Sequence, residues 1–237
     1  MKEIIASETA IAAKVICVFN EKGGSGKTTT SCQLAGTLGL RGFRVLLADL
    51  DPQETASQWL TENGGEGLKA QVWSGHRYGE RVIQKIKEFS NKYDVIIADC
   101  APSVENKSTW GMLLVSDLAL IPTRLSPLDM AALPNAKRLA RRAREEMGLN
   151  YPVRVVANAT RMHMNDDKAL MNVLKKDKEF PVMPCVMGDR KAYSRSMVMG
   201  SSAHAVSNGE DAVKEIESLA DETLKLLGLS KTIKVRK

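Results

Sequence analysis

The 237-residue chain has no run of about 18 or more apolar residues, so no segment reads as a membrane-spanning helix. The N-terminus carries Lys2, Glu3 and Glu8, and its apolar run over residues 10–13 is too short for a secretory signal core. The four cysteines (Cys17, Cys32, Cys100, Cys185) lie far apart with no CxxC pair, which excludes a disulfide framework and zinc-ligand spacing. Internal repeats and low-complexity tracts are also missing, and an apolar fraction of 43% suffices to fill a core. Together these absences describe a reduced, cytoplasmic globular chain the size of one generous domain.

Charge is present in excess and unevenly placed. The formal net charge is +6. Residues 1–118 carry 13 basic and 14 acidic side chains, a net of −1, while residues 119–237 carry 21 and 14, a net of +7. Such asymmetry points to a polyanionic partner, nucleic acid or an acidic membrane surface.

Short apolar runs alternate with helical periodicity. Residues 14–20 (KVICVFN), 44–48 (RVLLA), 94–98 (DVIIA), 118–121 and 153–157 read as strands. Residues 27–40 read as a helix with Leu34 and Leu38 on one face and Gly42 placed to end it. Residues 79–90 place Val82, Ile83, Ile86 and Phe89 on one side, and residues 211–227 repeat apolar side chains at helical spacing. Strands that are apolar throughout suit a parallel sheet covered on both faces. The expected fold is therefore α/β: one domain with a mostly parallel twisted sheet flanked by helices on both faces. Its expected limits are residues 14–228, with an extension over 1–13 and a basic tail over 229–237.

The sharpest motif is KGGSGKTT, residues 22–29, between a predicted strand and a predicted helix. Glycines let successive N–H groups curl around a phosphate chain, and the following helix adds its positive end. Lys27 is placed for the β- and γ-phosphates and the Thr28 hydroxyl for a Mg²⁺ shell. This is the signature of a P-loop NTPase domain, although the ordinary P-loop pattern GxxxxGK[ST] requires glycine at position 21, where this chain has Glu21 followed by Lys22. Further along come Asp49-Leu-Asp51-Pro-Gln53, then the strand DVIIAD ending in Asp99, then residues 117–129 (DLALIPTRLSPLD).

The lysine inside the loop, together with Gly23, Gly24, Gly26, Lys27 and Thr28, resembles the deviant Walker A motif of the ParA/MinD ATPases, and the chain is most similar to short plasmid-type ParA proteins. The resemblance implies that Gly23, Gly24, Ser25, Gly26, Lys27, Thr28 and Thr29 cradle ATP and that Lys22 reaches the nucleotide of a second subunit in an ATP-dependent homodimer. It also implies that Asp51 orients the attacking water, with Lys22 and Lys27 completing the catalytic set. Thr28, Asp49 and Asp99 would serve Mg²⁺, and Asn158 would contact adenine. Cys100 and Ala101 replace the more usual Thr and Pro after the Asp99 strand, and Cys100 reads as a packing variant. Arg124 occupies a position more often uncharged in the family.

Family resemblance further implies nonspecific DNA binding on the nucleoid through basic residues of region 187–202, with Arg190, Lys191 and Arg195 the best candidates and the C-terminal tail a weaker one. Hydrolysis would be stimulated by a ParB-type centromere-binding partner, giving DNA partition of a plasmid or chromosome. About a dozen residues precede the first strand, too few for a helix-turn-helix domain, so no sequence-specific DNA reading is expected. The rivals are a MinD-like membrane-cycling ATPase, a ParA relative that positions protein cargo, and a metabolic P-loop enzyme of the dethiobiotin-synthetase type. The membrane option needs an amphipathic basic C-terminal helix, and residues 230–237 offer only Ile233 and Val235 as anchors, so no membrane partner is expected.

Overall fold

A computed structural model describes residues 12–61, 67–103 and 106–230. The expected extension over residues 1–13, apart from its last two residues, lies outside them. So do Lys231, Lys234, Arg236 and Lys237 of the tail.

Among the described residues seven strands form one sheet: β1 (Lys14–Val18), β2 (Val45–Asp49), β3 (Gln71–Ser74), β4 (Val95–Asp99), β5 (Leu118–Arg124), β6 (Val153–Thr160) and β7 (Val182–Gly188). Their order is β3-β2-β4-β1-β5-β6-β7, and every pairing is parallel. Apolar side chains alternate between two cores. In β1, Val15 and Cys17 face one side with α3 (Val82–Ser90), α4 (Lys107–Leu114), α5 (Pro127–Met147) and α6 (Asn165–Lys175). Ile16 and Val18 face the other, with α1 (Lys27–Leu40), α2 (Thr55–Thr61), α7 (Lys191–Val198) and α8 (Glu210–Leu227). A strand buried on both faces has no polar alternation to offer, which is why these strands read as continuous apolar runs.

Local chemistry sets the helix ends. Ser126 caps α5, accepting from the Asp129 N–H at 3.2 Å, with Pro127 in the first turn and Gly148 left-handed at its end. Asn106 caps α4, its side chain accepting from Ser108 and Thr109 N–H groups. Helix α1 spans the expected 27–40, and Gly42 follows it at φ 91°.

Two expectations shift. The helix anticipated from residue 79 starts at Val82. Residues His76–Arg81 form a 3₁₀ segment interrupted by Gly79 at φ 53°, a conformation outside the helical region. Strands β5 and β6 run further than their apolar cores, to Arg124 and Thr160, because ladder pairing continues after hydrophobicity stops. The carboxyl ends of β1, β5 and β6 thereby lie together at the point where strand order departs on both sides of β1, where open α/β sheets bind ligands.

Candidate functional site

Strand β1 delivers the chain into the turn 19–26, and α1 leaves it. Asn20 fixes the start: its Nδ2 donates to the Pro122 carbonyl at 2.8 Å, and its Oδ1 accepts from the Lys22 N–H at 3.2 Å. Gly26 holds the end at φ 96°, and a Cβ there would sit 1.9 Å from Asn158 Nδ2. Only glycine fits both demands. The turn folds over Lys27, whose Nζ donates to the Lys22 carbonyl at 3.1 Å. Burial pushes the Lys27 ammonium below its usual value, with Asp99 and Asp51 pulling the other way.

Asp49 and Asp99 end adjacent strands and are register partners. Both are buried, but their oxygens are used differently. Asp49 Oδ2 accepts from the Ser57 N–H at 2.8 Å and Oδ1 from the Asp51 N–H at 3.3 Å, so this carboxylate holds the turn that carries Asp51. Burial raises the Asp49 carboxyl above its usual range. Asp99 accepts from Ser31 Oγ at 3.1 Å, its Oδ2 has no partner, and the neighbouring Thr28 hydroxyl favours its charged form. Burial, reinforced by the neighbouring Asp49 charge, pushes Asp99 up to about 7. A buried oxygen without a partner beside a hydroxyl and a lysine fits a divalent cation reached directly or through water. Among the described residues no group of three or more His, Cys, Asp or Glu side chains gathers around one point. A metal here would take most of its shell from phosphate and water, as Mg²⁺ prefers.

Lys22, the extra lysine, is ion-paired to Asp129 of its own chain, Nζ to Oδ2 at 2.9 Å. Asp129 is buried, caps α5 with Ser126, and leaves its Oδ1 without a partner. Neighbouring Glu21 accepts from Asn135 Nδ2 at 2.7 Å, a second contact between the loop and α5.

On the other side of the loop a cavity of about 340 Å³ opens between Gly24–Gly26, Thr29, the strand ends Arg124 and Asn158, and the β7–α7 turn. Asn158 Nδ2 approaches the carbonyls of Ser25 (3.4 Å) and Gly26 (3.2 Å) and Thr30 Oγ1 (3.2 Å), so it clamps the loop as well as lining the cavity. The glycine turn thus borders this cavity directly, whereas Thr28 and Asp99 do not line it.

The family model for the "CobQ/CobB/MinD/ParA nucleotide binding domain" matches residues 16–202, which span this site. The chain belongs to this family. Among curated proteins it is 29% identical over 213 residues to the Maintenance of carboxysome distribution protein A of Halothiobacillus neapolitanus, covering 90% of this chain and 97% of that one. It is 27% identical over 224 residues to Protein ParA of Rhizobium radiobacter, with the same coverage of each. Among solved structures, the septum site-determining protein MinD of Pyrococcus horikoshii, complexed with Mg-ADP, superposes at a TM-score of 0.68 with 18% identity, over 91% of this chain and 98% of that one. That structural likeness supports the fold.

Within this ParA/MinD-family framework the anticipated DNA residues Arg190, Lys191 and Arg195 line one small hollow but differ in their ion pairing. Arg190 is bound by Glu215 (2.8 Å) and Asp211 (3.3 Å), and it lines the cavity beside the P-loop together with Lys191. Lys191 and Arg195 are exposed, make no ion pair with a described residue, and flank a smaller hollow of about 240 Å³ before α8. Cys100 is fully buried, its Sγ 3.5 Å from Cys17 Sγ, as befits packing. Among the described residues no helix is long and apolar enough to cross a membrane.

Sequence reasoning passed over Asp129, Asn20 and Ser31. For Asp129 a signal existed, since Ser126-Pro-Leu-Asp129 has the spacing of a helix-capping box. Nothing local in the sequence marks its pairing with Lys22.

Proposed function

We propose that the chain is a ParA-type ATPase that partitions DNA, cycling between a free form and an ATP-bound sandwich dimer on the nucleoid. The observation that carries this reading is the grouping of Lys22, Lys27, Thr28 and the unpartnered Asp99 oxygen around one glycine turn. Residues 14–228 form the ATPase domain in this reading, and 229–237 a basic tail. The turn from Gly23 to Thr29 would hold the phosphates by backbone N–H groups and the α1 amino terminus. Thr28 and Asp99 would hold Mg²⁺, with Asp49 fixing the turn that presents Asp51. Bound Mg²⁺ supplies charge neutralisation at the β- and γ-phosphate oxygens. Asp51, half-buried with one oxygen capping the Gln53 N–H at 2.9 Å, orients water without being a strong base, so intrinsic turnover is slow. Lys22 has to exchange Asp129 for phosphate to reach a second subunit. Asn158 keeps the loop in shape at the base side.

A ParB-type partner would accelerate hydrolysis and release the dimer from DNA, with Lys191 and Arg195 the preferred phosphate contacts. The likeness to the carboxysome distribution protein along nearly its whole length favours one second reading, in which the same cycle moves a protein cargo. Lys22→Ala tests the cycle they share. Without this ammonium, ATP-dependent dimerisation and DNA retention are lost while monomer nucleotide binding persists, as read by light scattering and DNA co-sedimentation. Unchanged dimerisation in ATP would sink the cross-subunit role. ATPase rates with and without nonspecific DNA and a neighbouring-gene partner separate both readings from a metabolic enzyme, whose turnover would respond to neither.

A further inference from the structure

We propose that Arg124 is a nucleotide-contacting residue that binds the ribose-phosphate portion common to ADP and ATP from within its own subunit. The inference rests on the nucleotide reading of the P-loop and extends it to a side chain that reading leaves without a role.

Strand β5 is buried for six residues and then exposes Arg124 at its carboxyl end. There Arg124 is the register partner of Asn158, the residue that clamps the carbonyls of Ser25 and Gly26. Arg124 therefore stands one strand away from the phosphate turn and lines the same 340 Å³ cavity as Gly24, Gly26 and Thr29. A cavity of this size takes the remainder of a small ligand whose phosphates are anchored at its edge.

Charge narrows the cations of the lining to Arg124 and Lys191, of which Arg124 stands on the strand end beside Asn158 and the P-loop and Lys191 opens α7. Arg190, another cation lining the cavity, is neutralised by Glu215 and Asp211 on α8. Asp189 is the one carboxylate of the lining. Arg124 makes no ion pair with any described residue, so its guanidinium is free to meet an anion. A planar fork of N–H donors matches phosphate oxygens in a way a lysine does not. Because Arg124 faces its own P-loop cavity, the contact falls on the nucleotide held by the same subunit.

Titration of the full chain with N-methylanthraniloyl-ADP and with the same label on a non-hydrolysable ATP analogue tests this. Arg124→Ala should weaken both nucleotides to a similar extent, on the order of tenfold, as expected for loss of a charge-assisted hydrogen bond. Arg124→Lys should recover part of the loss, retaining the charge without the fork. Arg138→Ala, an exposed cation on α5 away from the cavity, should leave both affinities unchanged. Wild-type affinity in Arg124→Ala would overturn the proposal, as would an equal loss in Arg138→Ala. Loss confined to ATP-dependent dimerisation, with ADP affinity intact, would also overturn it by assigning Arg124 to the dimer face. If the unmodified chain bound neither nucleotide, the P-loop reading itself would fall, an outcome distinct from all of these.

Discussion

At the carboxyl ends of β1, β2 and β4, one lysine and two aspartates are buried side by side, and their protonation equilibria are displaced by that burial. Around α5, the turn after α6 and α8 the charges are more numerous but lie nearer the surface in pairs: Lys137 with Asp177, Arg141 with Glu179, Arg190 with Glu215 and Asp211. The first region concentrates few charges where water is excluded, so each is coupled strongly to its neighbours and to any bound phosphate. The second spreads many charges in high dielectric, where a pair contributes typically less than about 1 kcal/mol and is screened by salt. Both partners of each pair lie in the second half, whose +7 already counts them out, so pairing leaves the surplus intact and decides which cations stay free to carry it. Lys191 and Arg195 are among them.

The contrast can be broken most severely at Asp51. Asp51→Ala should bind ATP but hydrolyse it about a hundredfold more slowly, since loss of one positioned polar group at a reacting centre commonly costs this much. Single-turnover kinetics would measure it, and normal turnover would mean that another group orients the water.

A second, smaller effect concerns Asp99. Its native value of about 7 lies above the usual carboxylate value of about 3.9, so the folded state holds more protons than the unfolded chain between these limits. Stability of the nucleotide-free protein should therefore fall as pH rises from about 4 to about 7, with the full penalty persisting above. Asp99→Asn should remove the larger part of that fall, leaving the share that the raised Asp49 carboxyl contributes, and raise the melting temperature at pH 8 by about 5 °C in the absence of Mg²⁺. Parallel melting curves for the two proteins across this range would contradict the assignment of an ionising Asp99.

The surface region should yield the smallest effects, and they should depend on pairing. Removing Lys191 and Arg195 together should lower affinity for nonspecific DNA roughly tenfold and flatten its salt dependence by about two phosphate contacts per subunit. Arg141→Ala, whose guanidinium is engaged by Glu179, should alter DNA affinity less than about twofold. Equal losses in a filter-binding salt series would show that internal pairing does not govern which cations meet DNA.

Legibility followed the same division. The P-loop, the strand ending in Asp99 and helix α1 could be read because their chemistry is local: glycines, lysine and threonine within eight residues, flanked by an apolar strand and a helix. Strands β3 and β7 escaped notice because one is short and half-exposed and the other is broken by Pro184. A charge count could not distinguish Arg190, held by two carboxylates of α8, from the unpaired Lys191 beside it.

By itself, then, the sequence determined the phosphate-binding turn, the alternation of strands and helices, and the surplus of positive charge in the second half. Each of these depends on neighbours along the chain. Tertiary structure decided that Lys22 rests on Asp129, that Asn158 requires glycine at position 26, that one oxygen of Asp99 is left without a partner, and that Arg124 faces the cavity. These relations join residues up to 132 positions apart, such as Gly26 and Asn158, and only the packing of a parallel sheet brings them within hydrogen-bonding distance.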